Sequence, residues 1–128
     1  MRFLAIDYGK KRVGIAISDE AGKFALPKVV LDNDKSLIEN IQKICAGSGI
    51  GKIVLGESND LSGRPNPIME DISRFKRELE AATTLPVHLE PEFFTSAEAE
   101  QIQGKNKMHD ASAAALILKH YLEKRPKV

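Results

Sequence analysis

The spacing of hydrophobic residues in the first part of the chain predicts three β-strands joined as an antiparallel meander. Phe3–Tyr8 is a short, nearly continuous apolar run, the pattern of a strand covered on both faces. Arg12–Ser18 alternates instead, with valine and isoleucine on one face and glycine, alanine and serine on the other. Gly9 and Lys10 supply turn chemistry between these strands. A third strand is predicted around Phe24–Leu31.

The pattern then changes to helices that alternate with strands. The first predicted helix is capped by Asp34 and ends at Gly47-Ser48-Gly49, and a strand from Lys52 to Leu55 follows and ends at Gly56. After a loop from Ser58 to Asn66, a second helix has Asn66 as its N-cap and Pro67 as its first residue, and a strand runs from Pro86 to Leu89. A short helix with a capping box at Thr95–Glu98 and a last helix from about His109 to Glu123 complete the prediction. A meander followed by β-α-β-α units predicts an α/β fold. Its sheet would mix strand directions and carry helices on both faces.

Composition limits the class of protein. At 128 residues and 42% apolar, without repeat or linker, the chain is expected to form one domain over residues 1–128. Its 19 basic and 18 acidic residues give no overall charge that would attract a polyanion, so a nucleic-acid partner must be held by local clusters. No run approaches the roughly 20 apolar residues of a membrane span, which predicts a cytoplasmic protein. The one cysteine, Cys45, lies among isoleucines and is expected to be a buried thiol.

Three acidic residues lie at the predicted ends of separate elements. Asp7 ends the first strand, Glu92 lies just past the last strand, and Asp110 opens the last helix. The binding crevice of open α/β sheets lies beyond the carboxyl ends of strands, and the helix dipole favours a carboxylate in the first turn. Three converging carboxylates would bind a hard cation through oxygen. The small residues Gly14 and Ala16, beside Asp7 in a hairpin, would leave room for a metal and a phosphate.

Basic residues gather near these acids. Five of them flank the predicted site, namely Lys10, Lys11 and Arg12 after the first strand and Lys105 and Lys107 just before the last acid. Positive charges around acids suit a polyanion that rests over metal ions. A simpler interpretation stays open, because a lone acid is more often a surface group or a helix cap and a lysine run is often a solvated face. Composition and spacing alone therefore indicate no more than an α/β domain with a candidate metal site.

Two blocks of sequence carry more information than the rest. Leu4–Asp19 reads LAIDYGKKRVGIAISD, and His109–Leu118 reads HDASAAALIL. Both blocks resemble the YqgF family, Holliday-junction-resolvase-like proteins assigned as nucleases that process the 5′ end of precursor 16S ribosomal RNA, and the resemblance covers essentially the whole chain. It implies an RNase H-like fold and a catalytic trio that maps onto Asp7, Glu92 and Asp110. By this resemblance the trio would hold two Mg²⁺ or Mn²⁺ ions that clamp the scissile phosphate.

The middle of the chain departs from the family's pattern. The family usually has Asp-Glu-Arg-hydrophobic-Thr where residues 91–95 read PEFFT, so Pro91 replaces an acid and Phe93 replaces an arginine that could clamp a phosphate. Phe93 could instead stack on an unpaired base or pack in the core. The family's Gly-x-Pro is Gly-Glu-Ser at residues 56–58. Glu57 is then a substitute acid near the site or a solvated loop residue, and Arg64 is a candidate for the missing phosphate contact.

Several functions remain open at this stage. Within the nuclease class, the sequence does not separate trimming of ribosomal RNA from resolution of branched DNA, nor a monomer from a homodimer. A nucleic-acid-binding module that has lost its chemistry is a second class. A third is an actin-like or sugar-kinase ATPase, whose phosphate loop shares the spacing of Asp7, Gly9 and Gly14 but which needs two lobes. His88 is interpreted as a structural residue and His109 as a surface residue at the helix start; neither is assigned to catalysis.

Overall fold

The computed structural model describes residues 1–93 and 107–125, with the backbone alone for residues 107–110. In these ranges the elements follow in the order β1 (Arg2–Tyr8), β2 (Arg12–Ser18), β3 (Ala25–Asp32), α1 (Leu37–Ser48), β4 (Ile50–Asn59), α2 (Met69–Thr83), β5 (Val87–Phe93) and α3 (Lys107–Lys124). The capping box predicted at Thr95–Glu98 lies outside the described residues, as does Lys105. No helix in the described ranges is long and apolar enough to cross a membrane.

The five strands form one mixed sheet in the order β3-β2-β1-β4-β5. β1, β2 and β3 pair antiparallel, whereas β4 pairs parallel with both β1 and β5. Parallel neighbours need a crossover connection, and α1 and α2 supply one each, before and after β4. The predicted meander and the α/β class with a mixed sheet are confirmed.

Each face of the sheet packs against its own helices. Because successive side chains of a strand point to opposite faces, β1 sends Leu4 and Ile6 into the cluster that α1 and α2 cover. The alternate residues Phe3 and Ala5 belong to a second cluster, which α3 covers and which also contains Ala16, Val54, Ala114, Ile117, Leu118 and Tyr121. Helices therefore lie on both faces, as predicted, and Asp7 is on the side of α3.

Two predicted helix starts are wrong by two residues or more. The N-cap of α1 is Ser36 rather than Asp34, because the Asp34 side chain accepts the backbone N–H of Ser36 at 2.9 Å within the preceding turn. α2 begins at Met69 rather than at Pro67. The Asn66 side chain makes no cap; it donates to the hydroxyl of Ser58 at 3.0 Å and so ties the helix start to β4.

β4 and β5 both extend further than predicted. β4 passes through Gly56 and ends at Asn59, and β5 continues to Phe93 instead of ending at Leu89. The two strands pair in unbroken register from Ile53 opposite Val87 to Asn59 opposite Phe93, so this ladder keeps polar residues of low strand propensity extended. Pro91 is compatible with β5 because this strand lies at the edge of the sheet, where a missing N–H is tolerated.

Candidate active site

Asp7 is the next-to-last residue of β1 and faces α3. It lies directly opposite Gly14 of β2, as expected, whereas Ala16 lies opposite Ala5 on the same face. The Asp7 side chain is half-buried and takes part in an interaction within the chain. One carboxylate is thus held at the carboxyl end of a central strand, at the edge of the sheet where ligands bind in open α/β folds.

Glu92 is the next-to-last residue of β5, so the prediction that it lies beyond the last strand is wrong. It pairs with Ser58 in the β4–β5 ladder, and its side chain reaches α3, where both carboxylate oxygens lie close to Nδ1 of His120, at 2.9 and 3.1 Å. Glu92 is only 8% exposed. Burial raises the pKa of Glu92, and the charge and hydrogen bond of His120 oppose this effect.

A second acid on the same face was missed by the sequence reasoning. Glu90 lies two residues before Glu92, is 2% exposed, and forms a salt bridge with Lys124 of α3. The hydrogen bond that Lys124 donates to Glu90 raises the pKa of Lys124. His88, the next residue on this face, lies 3.6 Å from Glu90 and packs on the Tyr121 ring at 4.9 Å between centroids. This is the packing role expected for His88.

The register places the candidate ligands at one end of the sheet, where β1, β4 and β5 have their carboxyl ends. Ile6 pairs with Leu55, so Asp7 is level with Gly56, whereas Glu92 is level with Ser58, two residues further along. One strand, β4, separates β1 from β5, and at about 4.8 Å per strand this puts the two acid-bearing strands about 10 Å apart. Both acids are on the α3 side, near the carboxyl ends of parallel strands.

α3 directs its N-terminus towards this edge. Tyr121 contacts Phe3 near the start of β1, with 5.6 Å between ring centroids, and Ala114 lies in the apolar cluster of Ala5 further along β1. The turn before Ala114, which contains Asp110, therefore lies at the level of Asp7. The backbone of Asp110 is in the first turn described for α3; its side chain, like that of His109, lies outside the described residues.

The donor chemistry of these residues fits a hard divalent cation. Carboxylate oxygens are the ligands that Mg²⁺ and Mn²⁺ prefer, and Asp7 and Glu92 supply them from one face of the sheet. Within the part of the chain whose side chains are described, no group of three or more His, Cys, Asp or Glu residues could hold a metal ion. A complete metal centre thus depends on a further ligand from outside that part, and the sequence offers Asp110.

The predicted phosphate-binding residues occupy different places around this edge. Lys10 and Lys11 are exposed in the turn between β1 and β2, and Arg12 is half-buried at the start of β2 with an interaction within the chain. Arg64 is exposed in the turn after β4, where its backbone N–H donates to the side chain of Asp60 at 2.9 Å. The side chain of Lys107 lies outside the described residues.

The two residues with open interpretations lie on the opposite face of the sheet from Asp7. Glu57 is a strand residue rather than a loop residue, and its side chain accepts the amide of Asn59 at 2.8 Å. Alternation along β4 puts it away from α3, so the structure does not support Glu57 as a substitute acid. Phe93 ends β5, is 54% exposed, and alternation puts it away from α3 as well.

The fold is that of an α/β protein of the RNase H-like class. RuvC of Thermus thermophilus, solved in complex with a Holliday junction substrate, matches with a TM-score of 0.61 over 95% of this chain and 93% of its own, at 14% identity. A second structure of that protein matches with a TM-score of 0.60. At such identities the likeness concerns the fold alone.

The chain belongs to the RuvX family, whose model is described as Holliday junction resolvase and matches residues 1–124. Relatives named "Putative pre-16S rRNA nuclease" occur in Syntrophus aciditrophicus, at 35% identity over 96% of this chain and 89% of the relative, and in Desulforudis audaxviator, at 32% identity over 98% and 96%. A third, in Koribacter versatilis, is 33% identical over 97% and 88%. The resemblance seen in the sequence is confirmed.

Proposed function

We propose that this chain is a metal-dependent nuclease that hydrolyses phosphodiester bonds during 5′-end processing of precursor 16S ribosomal RNA in the cytoplasm. The observation that carries the proposal is the placement of Asp7 and Glu92 on one face and at one edge of the sheet, with the N-terminal turn of α3 directed to the same place. Membership of the RuvX family and the names of the relatives support a nuclease acting on this RNA.

Asp7, Glu92 and Asp110 would hold the divalent cations, Mg²⁺ or Mn²⁺. Bound there, the ions supply an activated water and stabilise the leaving oxygen of an in-line displacement. The chain itself positions the reactants: the β1–β2 hairpin holds Asp7 beside Gly14, and the phosphate can approach because glycine presents no side chain. Water would attack the phosphorus and the 3′-oxygen would leave, so no residue forms a covalent intermediate and the products would carry a 5′-phosphate and a 3′-hydroxyl.

Basic side chains would hold the RNA backbone over this centre. Lys10 and Lys11 are exposed beside the carboxyl end of β1, and Arg64 is exposed beside that of β4; Arg12, Lys105 and Lys107 complete the proposed set. With Phe93 in place of an arginine, the chain lacks a bidentate phosphate contact on β5. We therefore expect phosphate binding to rest on the basic residues outside β5 and to weaken steeply as salt is added.

A four-way DNA junction is the second candidate substrate. It is favoured by the description of the family model and by the fold shared with RuvC. Cleavage of paired strands would call for a symmetric homodimer that presents two sites, whereas trimming of one RNA end needs only a monomer. The two candidates therefore also differ in the oligomeric state that they require.

One assay separates these candidates. The purified chain is incubated with a precursor 16S leader RNA and with a four-way DNA junction, each in Mg²⁺, in Mn²⁺ and with a chelator. We expect cleavage of the leader in either metal and none with the chelator. Preferred cleavage of the junction would identify branched DNA, in place of the leader RNA, as the substrate. Tight, metal-independent binding without cleavage of either would contradict the nuclease and favour a binding module.

A further inference from the structure

Two hydrogen-bonded side-chain pairs connect β5 to α3, beside the ring contact of His88 with Tyr121. Along β5, Glu90 and Glu92 both face the helix and are about 6.6 Å apart along the strand. Along α3, His120 and Lys124 are one turn apart, about 6 Å. The spacings match, so Glu92 meets His120 while Glu90 meets Lys124. This double match fixes the position of α3 along β5.

The contact between His120 and Glu92 has a particular geometry. Nδ1 lies 2.9 Å from one carboxylate oxygen and 3.1 Å from the other. With Glu92 ionised, its carboxylate can only accept, so the N–H at Nδ1 of His120 donates to both oxygens. A donor placed between the oxygens uses their inner lone pairs and leaves the outer ones for another ligand. The imidazole thereby restricts the rotation of a carboxylate that is 8% exposed.

We propose that His120 is a positioning residue that orients the Glu92 carboxylate for a divalent cation. The inference rests on the proposed function, because it takes Glu92 as a metal ligand. It follows from the general behaviour of metal sites, in which hydrogen bonds to a ligating carboxylate orient it and raise its effectiveness. The same imidazole ties Glu92 to α3, the helix whose first turn contains the backbone of Asp110.

The test measures Mn²⁺ binding by isothermal titration calorimetry, without substrate. His120→Ala removes the donor, whereas His120→Asn keeps an amide N–H near the position of Nδ1. His120→Gln places its amide further out, near the position of Nε2. Two controls change neighbouring residues whose ion pair is with Glu90 rather than with Glu92: His88→Ala on the same face of β5, and Lys124→Ala one turn along α3, whose charge acts on Glu92 as well.

We expect His120→Ala to weaken Mn²⁺ binding about 10- to 100-fold and His120→Asn to recover most of the loss. His88→Ala should bind Mn²⁺ as the wild type does. Lys124→Ala should lower the unfolding midpoint without weakening Mn²⁺ binding, because the charge that it removes is positive and acts on Glu92. If His120→Ala does not fold, the comparison of Asn with Gln decides, since only Asn should retain affinity.

Three results would overturn the inference. Unchanged affinity in His120→Ala would show that the contact does not orient a ligand, and tighter binding would show that His120 competes with the ion. Equal losses in His120→Ala and Lys124→Ala would reduce the role of His120 to general stability. Absence of Mn²⁺ binding by the wild-type chain would instead contradict the proposed function itself, so the two failures are distinguishable.

Discussion

Gly56→Ala tests the packing of α3 on the sheet. An alanine Cβ at position 56 would lie 2.6 Å from Cδ1 and 3.4 Å from Cγ1 of Ile117, and 3.6 Å from the carbonyl oxygen of Ile6. Since carbon atoms pack best at about 3.5–4.0 Å, Cδ1 of Ile117 is about 1 Å too close, whereas the other two contacts are tight or ordinary. One methyl group therefore accounts for most of the clash.

The size of the effect follows from this geometry. Overpacking of a well-packed core costs about 1–3 kcal/mol, and replacing glycine in a strand returns about 0.5–1 kcal/mol. We therefore expect Gly56→Ala to lower the unfolding free energy by about 0–2.5 kcal/mol. Ile117→Val alone should cost about 0.5–1.5 kcal/mol. Because valine lacks Cδ1, the double variant should be no less stable than Ile117→Val.

Urea unfolding of the four proteins measures the coupling, provided that the slope with denaturant stays constant. Gly47→Ala is the matched control. Position 47 lies in α1, and apart from its own helix a Cβ there would meet no heavy atom of the described residues within 4 Å, so that variant should gain up to about 1 kcal/mol. Costs of Gly56→Ala and Ile117→Val that add to within about 0.5 kcal/mol would refute the packing argument.

Three further predictions concern single side chains. Burial raises the pKa of Cys45 to about 11, so a thiol reagent at pH 8 should label it no faster than the chain unfolds, and rapid labelling of the native protein would contradict this. Two backbone N–H groups lower the pKa of Asp19 below its ordinary value, so Asp19→Ala should be less stable than the wild type. The difference in unfolding free energy should be constant above about pH 5 and should narrow as the pH falls through the lowered pKa. A difference that does not depend on pH would refute this prediction. Lys124→Met leaves the buried Glu90 without its cation and should cost about 1–3 kcal/mol in urea unfolding; a neutral effect would show that the pair contributes nothing.

The sheet could largely be predicted from the sequence because its strands are marked locally. β1 is an apolar run and β2 alternates, and the small residue Gly14 of β2 lies opposite Asp7 of β1 as expected. The ends of β4 and β5 were missed because their polar residues have weak strand propensity, and only the ladder between Ile53–Asn59 and Val87–Phe93 keeps them extended. Gly56 was taken as a strand end, whereas it lies mid-strand and lets Ile117 approach.

The candidate site, like the sheet, could be predicted from the sequence only in part. Asp7 could be placed because it ends a clear strand, and the turn with Asp110 because it opens an alanine-rich helix. The partners of the β5 acids could not be predicted, since which residue of α3 meets Glu92 depends on how the helix lies across the sheet. The one available signal was the stripe on α3, in which Ile117, His120 and Lys124 follow at three and four residues.

Cleavage of the precursor 16S leader by Asp7→Asn tests the central claim most directly. The wild type, Asp7→Asn and the control Asp34→Asn, an exposed acid before α1, are compared in Mn²⁺, with urea unfolding to show that each variant folds. The account predicts that wild type and Asp34→Asn cut at equal rates and that Asp7→Asn, although folded, falls to background. Cleavage by Asp7→Asn at the wild-type rate would contradict it.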